Sequence, residues 1–340
     1  AGQFRRHCCV KILRSELRSE ASALAQFRDE ARIHALLHHD AIVQVYDFGE
    51  DEEGCYLVME YVQGCDLRQL LARYHGRKQR IPMRLAVYIA AELLQALDYA
   101  HRACDHQGTP LKLVHRDISP ANILLTATGR VKLTDFGIST FVDRTARTKT
   151  GFVVGKPGYF APEQADPTAT REGRLDARTD LFAVGVVMYE MFAGTAPFAK
   201  QDPGAAGARW DCTPLEQMGT ALDEGMGELV ERMLSEEPED RPSSAAAALA
   251  QLRQICIPDS TMAGALSEQV QLTTPRRRAA GMPTPTPSPR SAALDSWLQQ
   301  GDSWSPAAAA SSAARSSPAS NPLGEVDEQA ELASGPLIPG

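Results

Sequence analysis

One stretch of the sequence carries several side chains that could do chemistry, and further groups stand at fixed distances from it. It reads His115-Arg116-Asp117-Ile118-Ser119-Pro120-Ala121-Asn122, so an asparagine follows an aspartate by five residues. Asp135-Phe136-Gly137 begins 13 residues after Asn122, Ala161-Pro162-Glu163 follows, and Lys11 and Glu30 lie upstream. Carboxylates, an amide and an ammonium are groups with which a protein neutralises a triphosphate, holds metal ions and orients a hydroxyl. Such groups can serve phosphoryl transfer.

In this order and over residues 1–256, these motifs resemble the signatures of Ser/Thr protein kinases, and the bacterial members most. The resemblance implies that Lys11 contacts the α and β phosphates of ATP and is held by Glu30. It also implies that Asp135 and Asn122 ligate Mg²⁺, and that Asp117 orients the attacking hydroxyl and accepts its proton. The function expected is transfer of the ATP γ-phosphate to Ser and Thr hydroxyls of protein substrates in a signalling pathway.

The same resemblance implies a set of residues around the nucleotide. They are Cys9 and Leu124 on either face of the adenine, the gatekeeper Met59, the hinge from Glu60 to Val62, and Asp66 at the ribose.

Supporting residues also match the family's pattern. Asp180 is expected to anchor the backbone of the His-Arg-Asp motif, and Glu163 is expected to form a buried ion pair with Arg241. Small-molecule kinases of the same fold, such as aminoglycoside phosphotransferases, lack the Ala-Pro-Glu segment and that arginine, which favours a protein substrate. Arg116 is expected to receive a phosphate from the activation segment. The candidate phosphosites lie among basic residues and are Thr145, Thr148 and Thr150.

Three features depart from the pattern. Only ten residues precede Lys11 and they contain one glycine, so the expected Gly-rich loop is absent. We therefore expect a fragment of a longer reading frame whose small lobe lacks its first two strands.

The second departure concerns two positions together. The family usually has a lysine two residues after the catalytic aspartate, where this chain has Ser119. It usually has a threonine before the Ala-Pro-Glu segment, where this chain has Lys156. We expect that they exchange roles, with Lys156 delivering its ammonium to the γ-phosphate and Ser119 supplying the hydroxyl.

The third departure is His34, which stands four residues after Glu30. The family places an apolar residue there, packed on Phe136 in a stack that Val45 and His115 complete. A histidine at this position must be neutral or partnered to be buried. We expect it to make the active alignment of the helix less stable or sensitive to pH between 5.5 and 8.

The elements around these motifs indicate an α+β fold with the two lobes of a protein kinase. Residues 1–63 alternate short strands with one helix and read as a partial small lobe with the hinge. Residues 64–256 are mostly helical and include the apolar run from Leu181 to Phe192, which predicts a buried core helix. Residues 257–340 hold 11 of the 22 prolines and no lysine, which predicts a disordered tail. We expect that docking partners bind to this tail.

Composition excludes several other classes. The formal charge of -8 disfavours a nucleic-acid partner, and the longest apolar run is too short to span a membrane. The seven cysteines are scattered without a Cys-x-x-Cys pair, which indicates reduced thiols and a cytoplasmic location. His34 and His38 are one helical turn apart and His39 follows, but no further well-placed ligand completes a metal site, so a metal site is disfavoured.

The alternative function is a pseudokinase or signalling scaffold, because Ser119, His34 and the missing loop depart from the active pattern.

Overall fold

Strands and one helix come first along the chain, and a larger helical lobe follows. The computed structural model describes residues 6–13, 21–51, 54–136, 157–165, 175–198, 212–219 and 222–274. The predicted α+β fold class is confirmed.

The small lobe is a three-stranded antiparallel sheet covered by one helix. Its elements are β1 (Cys8–Ile12), α1 (Ala21–Ala35), β2 (Val45–Asp51) and β3 (Gly54–Glu60), and the strands lie in the order β1-β3-β2. Phe27 and Ala31 are four residues apart and so share one face of α1. Both are buried in a cluster with Val45 and Leu57 of the sheet. Leu57 is also the register partner of Lys11, so the packing holds α1 over the strand that carries this lysine.

A second antiparallel sheet connects the lobes. It consists of β4 (Gly64–Asp66), β5 (Ile123–Thr126) and β6 (Val131–Leu133), in that order. The main-chain nitrogen of Leu133 donates to Ala41 at 2.8 Å, and the nitrogen of Val43 donates to Leu133 at 2.9 Å. The end of β6, just before Asp135, is therefore tied to the segment between α1 and β2.

Helices are the main elements in the rest of the described chain. They are α2 (Leu67–Gly76), α3 (Met83–His101), the short α4 (Pro162–Ala165), α5 (Ala177–Ala193), α6 (Met226–Met233) and α7 (Ala245–Ile255), with single 3₁₀ turns at Pro157–Tyr159, Leu215–Met218 and Pro238–Asp240. Within the described ranges, no helix combines the length and the apolar character that crossing a membrane requires.

The predicted buried core helix is α5. Asp176 caps its start by accepting a hydrogen bond from the main-chain nitrogen of Arg178 at 2.8 Å. The helix ends at Gly194, whose φ of 82° lies in the left-handed region that glycine adopts without strain. Asp180, in the first turn, is only 1% exposed. A buried carboxylate at this point needs hydrogen-bond donors, and it receives them from the candidate site.

One helix corrects the sequence prediction. Residues Met262–Thr273 form α8, although the whole stretch from residue 257 was predicted to be disordered. Leu266 and Val270 are four residues apart on α8 and are buried in the core of the large lobe. Ser267 donates to the main-chain oxygen of Ala127 at 2.6 Å. The prediction of disorder is wrong for these residues because an apolar face that docks on the lobe offsets the entropy of ordering the helix.

Candidate active site

The loop between α3 and β5 holds Asp117 beside Asn122. The amide nitrogen of Asn122 donates to the main-chain oxygen of Asp117 at 2.8 Å and to its carboxylate Oδ2 at 2.7 Å. The main-chain oxygen of Asn122 accepts from the nitrogen of Thr134 at 3.0 Å, which ties the loop to the segment after β6. The Asp117 carboxylate is therefore oriented through one oxygen. Because the nitrogen of Asn122 is engaged, its amide oxygen is the atom left for other partners.

Asp180 of α5 holds the main chain of the loop that contains Asp117. Its Oδ2 and Oδ1 accept the main-chain N–H groups of His115 and Arg116, each at 2.8 Å, and Oδ2 also lies 2.8 Å from Nε2 of His101. Burial alone would raise the pKa of Asp180, but the hydrogen bond and charge of His101 lower it below its ordinary value. The structure thus brings Asp180 to the His-Arg-Asp backbone, as the resemblance implied.

His115 occupies the centre of the site and is fully buried. Its Nε2 lies 3.1 Å from the main-chain oxygen of Thr134, and its Nδ1 accepts the N–H of Asp117 at 3.3 Å. The two contacts together assign the proton to Nε2. The ring also packs on Phe136 with 4.5 Å between centroids. Burial lowers the pKa of His115, although the negative charge of Asp180 acts in the opposite direction. The ring is therefore neutral and packs between the motifs that contain Asp117 and Asp135.

Lys11 and Asp135 form an ion pair on the other side of the site. Nζ of Lys11 lies 2.8 Å from Oδ1 of Asp135, and the side chains keep 33% and 40% of their surface exposed. Asp135 has a φ of 57°, an uncommon left-handed conformation for a residue with a side chain. Burial raises its pKa, but Lys11 outweighs burial and brings the pKa below its ordinary value. The carboxylate is therefore ionised at neutral pH and open to a ligand.

A buried ion pair joins α4 to Arg241, which follows the 3₁₀ turn Pro238–Asp240. Glu163 of α4 accepts two hydrogen bonds from the guanidinium of Arg241, at 2.7 Å and 2.8 Å. The Arg241 side chain has no exposed surface and also donates to main-chain oxygens of Ser235, Glu236 and Arg178. The hydroxyl of Thr179 donates to Glu163 at 2.9 Å. Every charged group here has close partners, as burial of an ion pair requires.

Comparison with known proteins agrees with this geometry. The profile of the family described as "Protein kinase domain" matches residues 3–252, which is most of the chain. The chain belongs to the protein kinase family. It is 36% identical over 252 residues to the "Tyrosine-protein kinase MasK" of Myxococcus xanthus, covering 73% of this chain and 38% of that protein. It is 35% identical over 262 residues to the "Serine/threonine-protein kinase PknB" of Mycobacterium tuberculosis, covering 74% and 39% respectively.

A solved structure is also similar to this kinase domain. The crystal structure of the Mycobacterium tuberculosis PknI kinase domain superposes with a TM-score of 0.56 at 26% sequence identity, covering 74% of this chain and 87% of that one. The likeness therefore extends over nearly the whole of a kinase domain. The chain nevertheless spans less than two fifths of the length of the curated relatives described above.

The predicted nucleotide residues of the kinase domain cluster around the end of β3. Cys9 stands opposite Met59 in the sheet register, and Val62 and Leu124 pack against the small-lobe core. The carboxylate of Glu60 does not stand free for a nucleotide, because Oε2 lies 2.8 Å from Nζ of Lys132.

Asp66 has a structural role in addition to the predicted contact with the ribose. Its Oδ1 accepts the N–H of Gln69 at 2.8 Å, which caps α2. Its Oδ2 accepts from the side chains of Arg68 and Gln69, at 3.2 Å and 3.0 Å. A ribose hydroxyl would share these oxygens with the helix cap.

For several predicted site residues the structure shows no contact that bears on the predicted role. Lys156 lies outside the described residues, as do the candidate phosphosites Thr145, Thr148 and Thr150. Glu30 is part of α1, but its side chain is outside the described part, so the pair with Lys11 stays a prediction. Ser119 is described and its side chain is buried. The exchange of roles between Ser119 and Lys156 stays a prediction.

Sequence reasoning did not identify three residues that hold the motifs. His101 pairs with Asp180, as described above. Gln164 donates to the main-chain oxygen of Arg116 at 2.9 Å and accepts the N–H of Ala161 at 3.0 Å, linking α4 to the catalytic loop. Thr179 bonds Glu163. The only sequence signal was position: Gln164 directly follows the Ala-Pro-Glu segment, Thr179 precedes Asp180, and His101 ends a strongly apolar helix.

Proposed function

We propose that this chain transfers the γ-phosphoryl group of ATP to Ser and Thr hydroxyls of proteins, with Asp117 as the base. The observation that carries this proposal is the hydrogen bond from the amide nitrogen of Asn122 to Oδ2 of Asp117, at 2.7 Å, beside a second one to the main-chain oxygen of Asp117 at 2.8 Å. It orients one carboxylate oxygen and leaves the other for a substrate. The preference for Ser and Thr rests on Pro120 and on the similarity to PknB, which carries that description. MasK, which is also similar, is described as a tyrosine kinase, so the experiment below identifies which amino acid accepts the phosphate.

The proposed step moves one proton and one phosphoryl group. The hydroxyl oxygen of the substrate bonds to the γ-phosphorus as the bond from that phosphorus to the β–γ bridging oxygen breaks. ADP leaves with the electron pair of that bond, and Asp117 accepts the hydroxyl proton. Lys11 supplies positive charge on the opposite side of the site, where its ammonium now neutralises Asp135. Most of the rate enhancement then comes from orientation and electrostatics.

The described residues fit a magnesium ion held together with ATP. Asn122 offers its amide oxygen and Asp135 an ionised carboxylate, both hard ligands of the kind that Mg²⁺ prefers. Across the described ranges, no group of three or more His, Cys, Asp and Glu forms a self-sufficient metal cage. Mg²⁺ commonly takes one or two protein ligands and completes its shell with phosphates and water. When bound, it would neutralise charge on the phosphates.

Partners and location are inferred from simpler features. Protein substrates follow from the family, and docking partners are proposed for the residues beyond α8. The seven cysteines are all free thiols. This state suits a reducing compartment, and we propose a cytoplasmic location.

The test is transfer of radiolabelled γ-phosphate from ATP to casein and to the chain itself. We expect Asp117→Asn to lower transfer by at least about 100-fold, because the base is lost, while ATP affinity stays within about threefold. Asp40→Asn, which changes an exposed aspartate, is the matched control and should retain wild-type transfer. The label should appear on phosphoserine and phosphothreonine.

Two outcomes would contradict the proposal. If the wild-type chain binds ATP with Mg²⁺ but transfers no more label than Asp117→Asn, the chain is a scaffold and not an enzyme. If the label appears on tyrosine alone, the assignment of the acceptor is wrong.

A further inference from the structure

His34 lies near the end of α1 at a position where an apolar side chain was expected. It is 7% exposed, and the Phe136 side chain beside it is fully buried. The two rings meet edge to face, with 5.2 Å between centroids and 87° between planes. His115 packs on Phe136 as well, at 4.5 Å. The phenyl ring that follows Asp135 is thus in contact with two imidazoles, one from each lobe.

The contact that sets His34 apart from an apolar residue is a hydrogen bond. The main-chain N–H of Phe136 donates to Nε2 of His34 at 3.2 Å. Nε2 can accept only if it carries no proton, so the geometry requires the neutral ring with its proton on Nδ1. Burial, reinforced by the nearby charge of Lys11, lowers the pKa of His34 to about 3. The ring is therefore uncharged between pH 5.5 and 8, which removes the expected pH sensitivity in that range.

The position of this bond connects it to the chemistry. The donated N–H belongs to the peptide group that joins Asp135 to Phe136, and Asp135 adopts a φ of 57°. A residue in this region is held by its surroundings and not by its own preference. A hydrogen bond to the next N–H fixes the plane of that peptide group and hence the direction of the Asp135 side chain. A leucine would fill the space but could not accept the bond.

We propose that His34 is a positioning residue for phosphoryl transfer: through its hydrogen bond to the N–H of Phe136, α1 sets the orientation of Asp135. This inference rests on the proposed function for its effect on rate. Its structural part, the hydrogen bond and the tautomer, is tested without any transfer activity.

The first measurement is the tautomer of His34 in the wild-type chain. A long-range ¹H–¹⁵N spectrum of the histidine side chains at pH 7 should show His34 with its proton on Nδ1, assigned by the signal that disappears in His34→Leu. Finding the proton on Nε2 would overturn the proposal, because that nitrogen could not then accept a hydrogen bond. The wild-type spectrum answers the question whether or not the chain transfers phosphate; if His34→Leu does not fold, His34→Gln supplies the assignment.

The second measurement compares three variants of the full chain. His34→Leu removes the acceptor and keeps an apolar volume, His34→Gln keeps an acceptor, and His38→Leu removes an exposed histidine as control. We expect His34→Leu to lower kcat on the order of tenfold and to raise the half-saturating Mg²⁺ concentration several-fold, because Asp135 is misaligned. His34→Gln should recover most of both values, and His38→Leu should match wild type.

The controls separate positioning from simple packing. His34→Leu should still unfold in one cooperative transition, lowered only by the cost of leaving the N–H of Phe136 unpaired, because leucine otherwise suits a buried apolar position. If His34→Leu retains wild-type kcat and Mg²⁺ dependence, or if His34→Gln is as impaired as His34→Leu, the histidine only fills space. If wild type itself transfers no phosphate, the proposed function fails, while the tautomer still decides whether the hydrogen bond exists.

Discussion

The docking of α8 can be tested with one pair of glycine substitutions. Gly129, between β5 and β6, has a φ of 80°, and a Cβ placed there would lie 1.7 Å from the main-chain oxygen of Ala263. Gly108 has nearly the same φ, 81°, and nothing within 4 Å of its Cβ position. Alanine at either site costs about 1–2 kcal/mol for the left-handed backbone. Only Gly129→Ala must also displace α8, so the difference between the two variants isolates the docking of that helix.

The extra cost of Gly129→Ala is limited by the free energy of docking, because α8 can leave the surface instead of accepting the overlap. Burial of Leu266 and Val270, at 0% and 1% exposure, contributes about 3–6 kcal/mol. The hydrogen bond from Ser267 to Ala127 adds about 1 kcal/mol. Ordering 12 residues costs about 1–2 kcal/mol per residue, which exceeds this gain, and the main-chain hydrogen bonds of the helix offset the difference, so the net free energy of docking is a small remainder. We therefore expect Gly129→Ala to lose about 2 kcal/mol more than Gly108→Ala, or about 4–8 °C in melting temperature.

Two measurements on the full chain check this expectation. Urea unfolding gives the difference in stability between the variants. Hydrogen exchange gives its location: the amides of α8 should lose protection in Gly129→Ala and keep it in Gly108→Ala, because an undocked helix of this length is marginal in water. Equal unfolding free energies within about 0.5 kcal/mol, together with unchanged exchange, would refute the docked position of Ala263 over the β5–β6 turn.

Two further predictions concern the buried charges under the site. Glu163→Gln should lower the free energy of unfolding by about 3–5 kcal/mol, because it leaves the fully buried guanidinium of Arg241 without its carboxylate; a loss below 1 kcal/mol in urea unfolding would contradict this. The pKa of Asp180 lies below its ordinary value of 3.8 in the folded chain, so its contribution to stability is complete above that value and is lost as the pH falls below it. Asp180→Asn should therefore show a shallower loss of stability than wild type between pH 5 and 3, and parallel curves would argue against the lowered pKa.

The α+β fold class was predicted from the alternation of short strands and helical stretches, and the meeting of Glu163 with Arg241 was implied by the resemblance to protein kinases. A buried arginine needs a carboxylate, and a buried apolar run such as that of α5 needs a lobe around it. The average composition of the last 84 residues predicts disorder but hides one local pattern. Met262, Leu266 and Val270 recur at intervals of four, the spacing of one helix face. A window of helix length would have revealed α8.

The contacts of Gln164 and His34 were harder to foresee for a different reason: their partners are main-chain atoms. His34 accepts the main-chain N–H of Phe136. Gln164 donates to the main-chain oxygen of Arg116. Nearly every residue offers the same N–H and C=O groups, so the partner's identity leaves no trace in the sequence. Only the polar side chain at an otherwise buried position signals such a contact. His34 shows this most clearly, because a histidine at an expected apolar position supplied an acceptor that the apolar residue lacks.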